Sequence, residues 1–202
     1  MKINKYLRKI NYFMILTLFM SMIIGADATP NFKVITGKQI IGTVQYNGYD
    51  LNARKISIEG SKNIVYCLEI NKNYPSGQSF SSIGDLSKNI GNVVAAGYPN
   101  RSPAELNLSD ENEAYFATQI AIWSAMEGYD VNKFKGENPY VLDAIRNIYN
   151  DGMKGVYTNK IRTKAYKTNN EAIQEIITVH LDDLVAEQKA ESIQKEYPPQ
   201  EG

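Results

Sequence analysis

The hydrophobic pattern changes period part-way along the chain, and this limits the fold more than any other feature. From Asn31 to Ile70 the apolar residues come in short runs or alternate; from Asp85 they recur mostly at helical spacing. Phe32 to Thr36 and Gln39 to Gln45 are rich in Val, Ile and Thr, and Asn47-Gly48 is a strong hairpin-turn pair. Within Arg54 to Glu59, Ile56 and Ile58 share a face. In IVYCLEI (64–70), Ile64, Tyr66, Leu68 and Ile70 form one strand face, and Val65, Cys67 and Glu69 the other. The first face is expected to meet the core, with Cys67 pointing away from it.

The later segments read differently. NKNYPSGQSFSS (71–82) is expected to be a loop, marked by Pro75 and Gly77. Leu86, Ile90, Val93 and Val94 predict a helix over 85–96 that stops at Gly97, and 97–105 reads as another loop. Ser109 or Asp110 can cap a helix running to about Met126, with Gly128 just past it, and Asp110 with Glu113 resembles a capping box. A shorter helix is expected over 140–149 and a strand pair over 154–166. A long amphipathic helix is expected over 171–190, from the stripe Ile173, Ile176, Ile177, Leu181, Leu184 and Val185. Strands first and helices afterwards argue for an α+β domain. Its N-terminal antiparallel sheet or sandwich would carry Cys67, packed with a helical portion carrying Gln119.

Lys2, Lys5, Arg8 and Lys9, the apolar run 13–25 and Ala26-Asp27-Ala28 together read as a secretory signal peptide over residues 1–28. The domain is then expected over 29–190, with a polar tail or linker over 191–202. Without residues 1–28 the chain keeps 18 basic and 21 acidic residues, a net charge of −3. That balance points to neither nucleic acid nor an anionic membrane surface as partner. No later segment is apolar enough to span a membrane. No metal-ligand spacing, phosphate loop or other cofactor signature occurs. The protein is expected to be secreted and associated with the cell surface, as a monomer.

A secreted chain usually pairs its cysteines or has none, yet this one has a single cysteine, Cys67. It is either a buried structural thiol, an intermolecular link or a reactive group. Gln119 is the second anomaly. At helical spacing its neighbours are Tyr115, Phe116, Ile122 and Trp123, all large and apolar or aromatic. A carboxamide left unpartnered there costs about 1–3 kcal/mol. One reading is that backbone groups satisfy it. The other is that a cysteine thiolate attacks the glutamine carbonyl, expels ammonia and leaves an internal thioester. That chemistry needs a thiolate or a base, donors near the carbonyl oxygen, and close placement on rigid elements.

The words around the two residues resemble a known family. Tyr66-Cys67-Leu68 is similar to the aromatic–Cys–apolar motif of the thioester domains of Gram-positive surface adhesins, also called TQXA domains. Thr118-Gln119-Ile120-Ala121-Ile122-Trp123 matches that family's Thr-Gln-x-Ala-Ile-Trp motif, and GYPN (97–100) and EAYFATQ (113–119) also resemble it. The resemblance covers roughly residues 35 to 190. It implies a covalent adhesin domain in which Cys67 and Gln119 are joined as a thioester. An amine, such as a lysine on a host surface or matrix protein, attacks the former Gln119 carbonyl and releases the Cys67 thiol. The reaction is used once, so the domain is no turnover enzyme.

Tyr66, Thr118, Trp123 and Tyr115 are supporting candidates. Tyr66 and Trp123 read as packing and water exclusion. Tyr115 and Glu69 could move a proton, and Thr118 could donate a local hydrogen bond. Two rival readings stay open. A hydrolase would use Cys67 with His180, the only histidine, which otherwise reads as a partly exposed helix residue. A non-covalent binding module would keep the fold without the bond. The loops at 71–82 and 97–108 are the expected selectors of a partner.

Overall fold

A computed structural model describes residues 32–84, 86–158 and 161–180. The expected signal peptide, the tail and residues 181–190 lie outside the described residues. The architecture is α+β: among the described residues six antiparallel strands close into a barrel, and three α-helices pack with it.

The two short runs expected near the start merge into one strand, β1 (Phe32–Tyr46), bent by register shifts between Thr36 and Gly42. Asn47 and Gly48 both take positive φ, 49° and 86°, the signature of a two-residue type I′ hairpin turn into β2 (Tyr49–Ile58). β3 (Ile64–Cys67) follows. The segment expected as a loop ends instead in a strand, β4 (Ser79–Gly84), whose pairing with β1 closes the barrel. Three serines and a glycine in SFSSIG hide it from a propensity reading, and pairing on both edges decides the outcome.

Three helices come next: α1 (Lys88–Ala96), α2 (Glu111–Glu127) and α3 (Pro139–Lys154). Asp110 caps α2 by accepting from the N–H groups of Asn112 and Glu113. Glu113 reaches back one residue beyond the usual box, accepting from the Ser109 N–H at 2.9 Å. Gly128 ends α2 in the left-handed conformation. Residues 114–124 are all buried. A helix with no polar face is one surrounded by protein, and α2 packs against both other helices and the β1–β2 hairpin.

Two expectations fail at the C-terminal end. The strand pair expected over 154–166 is one strand, β5 (Thr163–Lys167), because α3 runs on to Lys154. Over the described residues 171–180 the expected helix is not formed. Ile176–Val179 is strand β6, seated between β3 and β5 with all four residues buried. Ile-Ile-Thr-Val is a β-branched run, and a strand buried on both faces shows no alternation. The apolar stripe at 173, 176 and 177 fits a helix and a buried strand equally well. β3 corrects the reading of Cys67 in the same way: Val65, Tyr66, Cys67 and Leu68 are all fully buried, so the strand has no solvent face.

α1 and α3 touch through Gly152. A Cβ there would overlap the backbone and side chain of Val93. Gly152→Ala should therefore cost about 1–3 kcal/mol in urea denaturation through overpacking. Met153→Ala, on the exposed side, should stay within about 0.5 kcal/mol.

Candidate functional site

β2 and β3 are paired at a single position, Ile56 with Val65. The Tyr115 hydroxyl stands inside that pair. It accepts from the Ile56 N–H at 3.3 Å and donates to the Val65 carbonyl at 2.6 Å. Two residues further on, the same register would set Arg54 opposite Cys67, but side chains fill the gap instead. Gln119, one helical turn after Tyr115, accepts through Oε1 from the Cys67 N–H at 2.9 Å. Its Nε2 donates to the Cys67 carbonyl at 2.7 Å. On the facing strand the Tyr74 hydroxyl accepts from the Arg54 N–H at 3.1 Å and lies 3.3 Å from the Asn52 carbonyl, to which it donates. Side chains thus complete the hydrogen bonding of two strands that have separated.

This explains a carboxamide on an apolar helix. Gln119 is 1% exposed and Cys67 is fully buried. The amide meets the Cys67 backbone at two points and so offsets its own desolvation. The arrangement supplies two of the three conditions for acyl transfer. Placement on a strand and a helix is rigid. The Cys67 N–H already points at the carbonyl oxygen, where negative charge would develop during attack. The third condition is not met at rest. Burial pushes the Cys67 thiol well above the usual cysteine range, so it holds its proton at neutral pH. Burial likewise raises the Tyr115 phenol, and the neighbouring Cys67 adds to the effect. Tyr115 is therefore a proton donor rather than a ready base.

The other supporting candidates hold the surroundings. The Thr118 hydroxyl accepts from the Tyr98 N–H at 2.9 Å and donates to the Ala114 carbonyl at 2.8 Å. The approach is close enough that a Cβ on Gly97 would lie 2.5 Å from the Thr118 side chain. The Tyr66 hydroxyl donates to the Tyr98 carbonyl at 2.6 Å, and its ring stacks on Tyr115 with centroids 4.6 Å apart. Thr118 and Tyr66 together pin the Gly97-Tyr98-Pro99 turn against the site. Trp123 is buried, and its indole nitrogen has no hydrogen-bond partner among the described residues, which leaves it a packing role.

Glu69 and His180 lie elsewhere. Glu69 accepts from the Glu175 N–H and pairs with Lys72 at 2.7 Å. His180 is not on a helix; it follows β6, half-buried, with Nε2 3.3 Å from the Thr178 hydroxyl. β6 pairs Ile176 with Cys67, so His180 lies four residues, roughly 13 Å, along the strand. No Cys–His dyad is assembled. Among the described residues no cluster could hold a metal ion, and no helix is long and apolar enough to cross a membrane. Tyr74 was missed by the sequence reading, because a hydroxyl that caps a strand edge leaves no trace in residue spacing.

Comparison with known proteins can be set beside this geometry. The sequence profile of the thioester-domain family matches residues 64–154, from the start of β3 to the end of α3. Over that segment the chain is similar to thioester domains. Both Cys67 and Gln119 fall within the matched segment. Solved bacterial proteins share the fold. The Bacillus anthracis TIE protein matches with a TM-score of 0.58 at 16% identity, over 75% of this chain and 39% of that one. The N-terminal domain of the Streptococcus pyogenes pilus tip adhesin Cpa matches with a TM-score of 0.56 at 15% identity, over 77% and 95%. The N-terminal thioester domain of the S. pyogenes fibronectin-binding protein SfbI gives 0.54 at 19% identity, over 76% and 95%. The chain thus spans well under half of the TIE protein's length. A search of curated proteins returns no match.

Two outcomes follow from this geometry. Tyr115→Phe strips the partner from two buried backbone groups and should lower stability by about 1–3 kcal/mol in urea denaturation. The second concerns alkali. Burial raises the phenols of Tyr66, Tyr74, Tyr98 and Tyr115, with Tyr74 and Tyr98 pushed up to about 12. A raised phenol keeps its proton in the fold after the unfolded chain has lost it. Its stabilising contribution is intact below about pH 10 and disappears as pH climbs through the folded value. Phenolate absorbance should therefore show a delayed class of tyrosines that titrates together with unfolding. Titration of every tyrosine near pH 10 with the fold intact would contradict this.

Proposed function

We propose that this domain captures amines covalently through a thioester between Cys67 and Gln119. In formation, Cys67 Sγ bonds to Gln119 Cδ, the Cδ–Nε2 bond breaks, and the nitrogen leaves as ammonia carrying the thiol proton. In capture, an amine nitrogen bonds to Cδ, the C–S bond breaks, and the sulfur takes a proton to return as a thiol. The observation that carries this reading is the two-point hydrogen bond between the Gln119 carboxamide and the Cys67 backbone, in a fully buried site. It holds the acyl carbon beside the residue that supplies the sulfur and keeps a donor on the oxygen through both steps. Burial also keeps water from a bond that hydrolysis would waste.

The relatives' roles suit it: a pilus tip adhesin and a fibronectin-binding protein both carry this fold. We extend that setting to this chain as a secreted, surface-associated adhesin domain whose partner is a host surface or matrix protein with a reachable lysine. Each molecule reacts once and does not turn over. Cys67 is the sulfur donor and leaving group, and Gln119 is the acyl group that stays on the partner. Tyr66, Thr118, Tyr115 and Trp123 position and seal the site. A non-covalent module of the same fold is the second reading, favoured by a Gln119 amide whose oxygen and nitrogen are both already hydrogen-bonded.

Intact mass separates the two. The native chain should weigh one ammonia less than its sequence. Methylamine should convert it to a methylamide at Gln119 with a free thiol, and Cys67→Ala should show neither change. A full sequence mass that ignores methylamine would leave the non-covalent module standing.

A further inference from the structure

Taking covalent capture as the working function, we propose that the groove beside β1 docks the partner as an added strand. The occupant is an extended, lysine-bearing segment of the target protein. The groove, about 740 Å³, runs between residues 41–45 of β1, the start of α2 and residues 135–141. Its volume suits a short stretch of extended chain.

The edge of β1 is the first argument. Gln45 exchanges two backbone hydrogen bonds with Lys135, at 2.8 and 3.0 Å, so its N–H and C=O point away from β2. Strand alternation turns Thr43, two residues back, the same way. Thr43 is exposed, and no backbone bond reaches it there from another segment among the described residues. The chain from Lys135 cannot continue the ladder, because Asn138 already caps α3. A ladder one residue pair long is thus begun and left open, and a visiting strand extends it by β-augmentation.

Charge is the second argument. Asp50, Glu113 and Glu137 line the groove against a single cation, Lys135. Glu113 is held in place by the Ser109 N–H and by Asn138 Nδ2 at 2.9 Å. A cationic segment is favoured over a neutral or acidic one. Position is the third. Phe116 lines the groove three residues before Gln119 on the same helix, about 4.5 Å along its axis. β1 is separated from β3 by β2 alone, roughly 10 Å across the sheet. Docking at this edge concentrates lysines of the same partner segment near the acyl carbon, where effective concentration sets the rate.

The test uses the full chain and two synthetic ten-residue peptides. Each carries one lysine among Val and Thr, and in the second peptide two flanking residues are proline, which cannot pair as a strand. Covalent capture is followed by intact mass and divided by the methylamine rate of the same sample. The strand-competent peptide should react at least several-fold faster than the proline peptide. Glu137→Lys, on an exposed loop, should reduce that advantage, and Thr43→Pro should do so by blocking the edge. Equal capture of both peptides beside a normal methylamine adduct overturns the docking proposal alone, as does an advantage untouched by Glu137→Lys. Absence of the methylamine adduct overturns the capture reading and the docking proposal with it.

Discussion

The separation of β2 from β3 is the constraint on which the site depends. Two adjacent antiparallel strands ordinarily satisfy each other's backbone groups. Here they meet at one residue pair and then part. The backbone groups of Val65 and Cys67 that β2 leaves unpaired must then find partners, since buried backbone donors and acceptors are costly when orphaned. α2 supplies them with Tyr115 and Gln119, one turn apart. That requirement fixes a hydroxyl and a carboxamide on one line of an otherwise apolar helix. In the proposed reaction, the group that completes the strand is also the group that the cysteine on that strand attacks.

The same burial that organises the site makes it inert at rest. Cys67 keeps its proton, and the surrounding phenols keep theirs. Among the described residues no histidine or carboxylate meets the pair, so the proposed reaction rests on proximity and the Cys67 N–H. Full burial also keeps water away from the pair. Thr118 and Tyr66 contribute by clamping the Gly97–Pro99 turn, whose carbonyl and N–H they satisfy directly.

Much of this was legible in the sequence, for identifiable reasons. The Asn47-Gly48 turn, the Asp110 cap and the Gly128 stop each rest on local geometry that few other residues satisfy. Cys67 and Gln119 stood out as anomalies of composition: a lone cysteine and a lone amide on an apolar face. What failed was decided by burial on both sides. β6 reads as a helix because Ile173, Ile176 and Ile177 fit two periods at once, and β3 assigns Cys67 to a false outer face because alternation has meaning only when one face meets water. Tyr74 escaped because its contact is made by a hydroxyl with a backbone distant in sequence.

The extent of the family match adds a final step. It runs from the start of β3 to the end of α3, whereas the fold likeness to solved bacterial proteins covers about three quarters of the chain. β1, β2, β5 and β6 lie outside the matched segment but complete the barrel. Those strands need only alternate, pair and fill space, conditions that many sequences meet. The matched elements face tighter demands. β3 must expose backbone groups to a helix, Gly97 must let Thr118 approach, and α2 must carry a hydroxyl and an amide at a spacing of four. Where each residue answers to a specific contact, the sequence stays recognisable; where it answers only to a pattern, shape persists and the words are free to change.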